Sequence, residues 1–201
     1  MKKLILLSGG LDSATLFAKE ANSDTIALFF NYNQKAFTAE LSAVKALTQQ
    51  YNVPLICRDI TEIFQTSQCT LLKTSTDEPV SFSNTELEFR NGVFLSCAIS
   101  VAMQLFCNEE VVIMIGLIKI RVPYADCSND FILLYDKIAK LCSNGKISIS
   151  APFIQVGKDV VLVEANKLNL DISKTWSCYN NKEKPCGVCD ACIDRKILGV
   201  L

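Results

Sequence analysis

The sequence predicts an α/β fold: a parallel twisted sheet with helices on both faces, closed by a small cysteine-rich C-terminal tail. Three observations lead there. Short apolar runs alternate with longer mixed segments through the first half, the rhythm of βαβ units. A Gly-Gly turn, Ser8-Gly9-Gly10-Leu11-Asp12-Ser13, falls between the first apolar run and the first mixed one. Four cysteines crowd the end of the chain with metal-ligand spacing.

Taken in order, Leu4–Leu7 reads as a strand, Asp12–Glu20 as a helix and Thr25–Phe30 as a strand. Ala36–Tyr51 follows as a helix and Pro54–Arg58 as a strand. Residues 60–90, rich in Thr, Ser and Asp, read as a long irregular excursion of the kind that forms lids or substrate loops. Asn91–Phe106 is a helix, Val111–Gly116 a buried strand, Asn129–Cys142 a helix ending near Gly145, and Lys158–Leu168 another helix. The final segment is turn-rich and cysteine-rich. No repeat or low-complexity linker divides the chain, so residues 1–201 read as one domain, with 176–201 as a tail within it.

Composition narrows the function classes. Half of the 201 residues are apolar, enough for a sizeable core. Twenty basic and 21 acidic residues leave a net charge of −1, without the basic face that grips extended nucleic acid. The apolar run at the N-terminus is too short for an export signal. Val93–Cys107 is too short and too polar to span a membrane. A cytoplasmic protein with reduced thiols is expected. Histidine is absent, which excludes imidazole as base, nucleophile or ligand.

The turn at Ser8–Ser13 has the chemistry of a phosphate cradle. Its glycines let backbone N–H groups converge, the following helix adds its positive dipole end, and Ser8 and Ser13 can donate hydroxyl hydrogen bonds. Leu11 and Asp12 open the helix. Asp12 fits either as a Mg²⁺ ligand or as a cap on exposed helix N–H groups. An ordinary capped Gly-Gly turn is the bland alternative. No lysine follows in the Walker position, so this is not a γ-phosphate-cleaving loop. In the tail, Cys178, Cys186, Cys189 and Cys192 form C-x7-C-x2-C-x2-C. Four thiolates suit tetrahedral Zn²⁺ with no position open to water, hence a structural ion. An iron–sulfur cluster or a redox pair at Cys186 and Cys189 are the alternatives. The other six cysteines read as core packing, except Cys127.

The loop resembles the S-G-G-x-D-S signature of the PP-loop ATP pyrophosphatases, a group with a HUP-type, Rossmann-like fold. That resemblance implies that ATP binds here, that pyrophosphate leaves from this loop, and that the end of the second strand, Phe29-Phe30-Asn31, lies against adenine. Asn31-Tyr32-Asn33-Gln34 would belong to the same pocket. With Thr175-Trp176-Ser177-Cys178-Tyr179-Asn180 running into Cys-Gly-x-Cys-x-x-Cys, the chain is similar nearly end to end to the 7-cyano-7-deazaguanine synthase family, QueC. Arg90-Asn91 looks like the family's Arg-Asn pair beside the nucleotide. Tyr124-Ala125-Asp126-Cys127 looks like its Tyr-Pro-Asp-Cys, and Gly157-Lys158 like its Asn-Lys, where the lysine can reach phosphate. The resemblance implies Asp12 and Lys158 as catalytic residues, with Tyr124 and Asp126 at the substrate. It implies ATP and Mg²⁺ beside the zinc, and a deazaguanine carboxylate and ammonia as co-substrates. A homodimer is expected.

The middle of the chain departs from the family. Where the family reads G-x-x-x-x-D-x-S-G-Y-P-D-C, residues 116–127 are one residue shorter and carry Lys119 and Arg121 in place of Asp and Ser. Phe89 stands where the family has Gly, and Asn31 and Asn33 replace its Asp and Gly. Lys119 and Arg121 could hold a carboxylate or a protein partner, or simply form a solvated strand end. QueC-like proteins in antiviral defence imply a second possibility, a ligase joining the activated deazaguanine to a protein amine. A tRNA thiolation enzyme fits the charge poorly, and a non-catalytic subunit fits the intact loop poorly.

Overall fold

The computed structural model describes residues 1–73, 85–119, 124–180 and 184–201. The elements run β1 (Lys2–Leu6), α1 (Leu11–Glu20), β2 (Thr25–Asn31), α2 (Phe37–Gln50), β3 (Leu55–Asp59), α3 (Arg90–Leu105), β4 (Val111–Ile115), α4 (Asn129–Cys142), β5 (Ile147–Ser150), α5 (Lys158–Lys167) and α6 (Asp190–Ile197). The five strands form one sheet in the order β3-β2-β1-β4-β5, every neighbouring pair parallel.

The strands sort their side chains with period two, because successive residues point to opposite faces of a pleated strand. Leu4 and Leu6, Leu28 and Phe30, Ile113 and Ile115, and Ile147 and Ile149 enter one core, against Leu95, Ala98 and Ile99 of α3 and Ile132 and Tyr135 of α4. Ile5 and Leu7, Ala27 and Phe29, and Val112 and Met114 enter the other, against Leu16 and Phe17 of α1, Val44 and Leu47 of α2, and Val161 of α5. The central strands β1, β2 and β4 are therefore apolar at consecutive positions, as parallel strands covered on both faces must be. Fully burying a side chain such as Phe17 contributes about 2–3 kcal/mol.

The structure adds two elements to the sequence reading. β5 is a four-residue edge strand, Ile-Ser-Ile-Ser, whose two isoleucines reach the core and whose serines do not. The tail, read as turns, contains α6, which places Asp190 in its first turn and Arg195 and Lys196 in its last, both favoured by the helix dipole. The excursion after β3 is also less irregular than expected. It opens with a 3₁₀ turn at Thr61–Phe64, and the chain at Leu71–Lys73 is tied to the loop after β2: Lys35 N donates to Leu71 O (2.7 Å) and Lys73 N to Asn33 O (2.9 Å). Among the described residues, no helix is long and apolar enough to cross a membrane.

Candidate active site

The sheet order reverses direction at β1, whose neighbours β2 and β4 are reached by connections on opposite sides. Open α/β sheets bind ligands at such a point, outside the carboxyl ends of the strands. A cavity of about 300 Å³ lies there, at the ends of β1, β2 and β4. The phosphate loop forms its floor. Gly9 takes φ +82°, and a Cβ on it would stand 2.9 Å from the carbonyl oxygen of Glu40 and 3.1 Å from the Ala43 Cβ. Ser8 and Ser13 are tied together across the loop: their hydroxyls lie 3.0 Å apart, Ser8 N donates to Ser13 Oγ (3.2 Å), and Ser13 Oγ donates to Gly10 O (3.1 Å). Gly116, just past β4, passes so close beneath α1 that a Cβ would meet Ser13 N and Cα at 2.9 Å. The loop is thus held in shape from both sides.

Asp12 does not cap its helix. Gly10 is the N-cap, and Asp12 Oδ1 is buried without a hydrogen-bond partner. Burial pushes the Asp12 carboxyl above the usual range; Lys158 opposes the shift, while Asp194 adds to it. An unpartnered buried carboxylate oxygen at a phosphate-type loop fits a Mg²⁺ ion, which takes one or two carboxylates and completes its shell with phosphate and water. Lys158, the first residue of α5, faces the same cavity and donates to Asp194 Oδ2 at 3.3 Å.

The opposite wall comes from β2, α2 and α3. Phe30 lines the cavity and stacks on Phe94, ring centres 4.8 Å apart and planes within 20°. Tyr32, Gln34, Glu40, Arg90 and Asn91 join it. Asn31 is turned away into the loop, where its amide donates to Asp59 Oδ2 (2.6 Å) and its oxygen accepts from Asn33 N (3.2 Å). Asn91 is buried and tied to the next loop: its N–H donates to Asp126 Oδ2 (2.9 Å), and its side-chain amide to Asp126 O (3.2 Å) and Cys127 Sγ (3.2 Å). Asp126 therefore anchors the first turn of α3. Burial, with Asp126 beside it, pushes the Cys127 thiol up to about 11, so it is a neutral thiol at physiological pH.

Tyr124 and Asp126 line a second cavity of about 230 Å³, bounded also by Phe89 and Phe131. Arg90 belongs to the walls of both cavities. Phe89 adopts left-handed backbone (φ 54°) and packs its ring over Gly92, against Phe131 and Tyr135. Lys119 is exposed and lines neither cavity; its backbone N–H donates to Val156 O (2.9 Å). Arg121 lies outside the described residues.

In the tail, the Sγ atoms of Cys178, Cys186, Cys189 and Cys192 all lie within 4.8 Å of one another. Thiolates about 2.3 Å from a central zinc stand about 3.8 Å apart in a tetrahedron. The separations of 3.9 Å for Cys186–Cys192 and 4.0 Å for Cys178–Cys189 match that arrangement. Backbone N–H groups point at the sulfurs: Asn180 N and Cys186 N at Cys178, and Cys189 N at Cys186, at 3.3–3.4 Å. Such donors stabilise thiolate charge, so the four residues fit a zinc ion. The neighbouring Cys178 sulfur lowers the Cys189 thiol below its ordinary range.

The sequence of this chain matches the model of the family described as "Queuosine biosynthesis protein QueC" over residues 2–197. The chain belongs to the QueC family. Among curated relatives of this QueC-family chain, the 7-cyano-7-deazaguanine synthase of Sulfurimonas denitrificans is 32% identical over 95% of the chain and 89% of the relative. That of Nautilia profundicola is 33% identical over 95% and 90%. Among solved structures, the NMN synthetase from Francisella tularensis superposes on the whole chain and 78% of its own, with a TM-score of 0.50 and 17% identity, a likeness of fold.

Three wall residues of the QueC-family cavity owe their roles to long-range packing, although Gly116 and Trp176 also fall within segments that resemble the family. Glu40 sits in an ordinary amphipathic helix, Gly116 matters only for its distance to Ser13, and Trp176 closes the loop by donating its N–H to Gly9 O at 2.8 Å. Each acquires its place from long-range packing.

Proposed function

We propose that this chain activates a 7-deazaguanine carboxylate with ATP, aminates it with ammonia and dehydrates the amide to the nitrile. As a QueC-family member it is an ATP-dependent synthase of the ligase class. The observation that carries the reading is the buried, unpartnered Asp12 Oδ1 beside a preformed phosphate loop, in a cavity that also holds Lys158 and Arg90.

In this reading the loop N–H groups, the α1 dipole and the Ser8 and Ser13 hydroxyls bind the β- and γ-phosphates. Asp12 would hold Mg²⁺, which would supply neutralisation of the charge that develops on the phosphates. Lys158 approaches the α-phosphate from α5. The substrate carboxylate attacks the α-phosphorus and pyrophosphate leaves, giving an acyl-adenylate. Ammonia attacks the acyl carbon, AMP leaves, and a proton is lost to form the amide. A second ATP adenylates the amide oxygen with release of pyrophosphate and one N–H proton, and loss of AMP with the remaining N–H proton leaves the nitrile. No step requires imidazole, because positioning and charge neutralisation carry the rate.

The test is incubation with ATP, Mg²⁺, 7-carboxy-7-deazaguanine and ammonium, with products followed by mass spectrometry. Nitrile with two AMP and two pyrophosphate is expected. Formation of ADP, or no consumption of the carboxylate, would overturn the reading. An adenylate that persists and then passes to a protein amine would move the chain to the protein-modifying ligase alternative.

A further inference from the structure

Glu40 and Arg90 bring opposite charges into the wall of the main cavity, yet they do not pair: among the described residues, neither takes part in an ion pair within 4.0 Å. Glu40 is instead oriented by a neighbour. Gln34 is fully buried and fully used: its Nε2 donates to Phe30 O (3.1 Å) and to Glu40 Oε2 (3.0 Å), and its Oε1 accepts from Tyr32 N (2.9 Å). It is therefore held in place, and it anchors one oxygen of the Glu40 carboxylate. Arg90, the first residue of α3, brings five N–H donors to the same wall. The stacked rings of Phe30 and Phe94, and the ring of Tyr32, 5.4 Å from Phe94, line the same cavity. Holding two unpaired charges out of bulk water is costly unless a ligand completes them.

The wall has three parts: a face of aromatic rings, a carboxylate of which one oxygen is bonded to Gln34, and a guanidinium. We propose that Glu40 reads the 2-amino-4-oxopyrimidine edge of the acceptor heterocycle, taking its ring N–H and exocyclic amine, while Arg90 faces the carboxylate of the same molecule. This assignment rests on the deazaguanine reading above and names the residue that would enforce it. A carboxylate matches two adjacent donors with two oxygens. It does not match the adenine edge, where an amine donor sits beside a ring-nitrogen acceptor that would face the carboxylate's lone pairs. Glu40 thus favours the guanine-like partner over the base of ATP, although both share one cavity. Burial pushes its carboxyl up to about 7, and a donor pair brought in by the ligand would stabilise the ionised form.

The experiment compares binding of 7-carboxy-7-deazaguanine and its 2-deamino counterpart to the full chain by calorimetry, with ATP measured in parallel. Wild type should prefer the 2-amino ligand by about 100-fold, the size of one to two charge-assisted hydrogen bonds. Glu40→Gln should weaken the 2-amino ligand by at least about tenfold. In Glu40→Ala, where no amide oxygen can stand in, the two ligands should fall within about fivefold of each other. ATP affinity should not move, and melting curves of both variants establish that they fold. Unchanged discrimination in both folded variants overturns the assignment. A loss of ATP affinity in place of discrimination also overturns it and makes Glu40 a nucleotide ligand. Failure of wild type to bind either heterocycle overturns the deazaguanine reading itself, which separates the two failures.

Discussion

Alanine substitution at three glycines separates the loop's shape from its use. At Gly9 an alanine must adopt φ +82°, a left-handed conformation that costs about 1–2 kcal/mol. Its Cβ also meets backbone, the Glu40 carbonyl at 2.9 Å, which cannot give cheaply; overpacking of this kind costs about 1–3 kcal/mol. Gly9→Ala should therefore lose about 2–5 kcal/mol, a fall in Tm of about 5–15 °C for a chain of this length. Gly10 is different. Its φ of −71° suits any residue, and a Cβ would meet Ser8 Oγ at 3.5 Å and Trp176 O at 3.7 Å, ordinary contacts. Gly10→Ala should stay within about 1 kcal/mol of wild type. It should nevertheless lose at least about tenfold in ATP affinity if phosphate lies against the Gly10 N–H, because the new methyl enters the cavity. Gly116→Ala, whose Cβ would strike Ser13 backbone at 2.9 Å, should shift both readouts together. Calorimetric melting and ATP binding on the three variants decide the matter. A Gly9→Ala protein as stable as wild type would refute the strain argument. A Gly10→Ala protein with wild-type ATP affinity would show that phosphate does not approach the loop there.

Asp12→Asn should leave the ligand-free protein as stable as wild type or more so at neutral pH, since burial already disfavours the charged carboxyl. Its pyrophosphate release should fall by at least about 100-fold, and unchanged release would remove Asp12 from the site. Metal analysis should find one zinc per chain, and chelation should lower Tm and pyrophosphate release in step; iron and sulfide in the purified protein would replace zinc with a cluster. The Glu40 carboxyl, raised from 4.5 to about 7, makes the native state hold a proton the unfolded chain releases. Its contribution to stability is complete below pH 4.5, is lost as pH rises through 7, and amounts to about 3 kcal/mol at most. Glu40→Gln should flatten the Tm profile between pH 5 and 8, and parallel profiles would contradict the raised value.

Much of this architecture is legible in the sequence because its signals are local. Asn129–Cys142 is delimited by its capping serine, Ser128, and by its periodicity, and its bounds agree with the structure. The remaining expected helices and the first strands differ by one or two residues at their ends, where caps and fraying decide. β5 escaped notice because two isoleucines in four residues make too short a pattern, and α6 because cysteine spacing dominated the reading of its segment. The phosphate loop and the cysteine tetrad could be found because each is contiguous, or nearly so, along the chain. Glu40 could not, and Gly116 could be found only as a motif position, because their roles depend on what stands about 3 Å away in space. Lys119 matches the family only by its position in a motif, and the structure leaves it exposed in the irregular segment after β4.

The tail is more than an anchor for the chain's end. Trp176, Ser177, Tyr179 and Ala191 all line the main cavity, so the cysteine tetrad holds one of its walls. Two further links run from tail to loop. Trp176 N bonds the Gly9 carbonyl, and Asp194 of α6 takes the Lys158 ammonium at 3.3 Å. Beneath them the buried Arg195 guanidinium donates to Thr175 O and Oγ1, Ile172 O and Val200 O, at 3.0–3.2 Å, riveting α6 to the segment that leads into the tetrad. These are neutral acceptors, so the rivet relies on the fork geometry that lysine could not reproduce. A metal bound by the four cysteines would thus fix α6, while α6 holds the partner of Lys158 and Trp176 the back of the loop at Gly9. A site with no open coordination position takes no part in the chemistry, yet its loss would release a wall of the cavity in which the chemistry occurs.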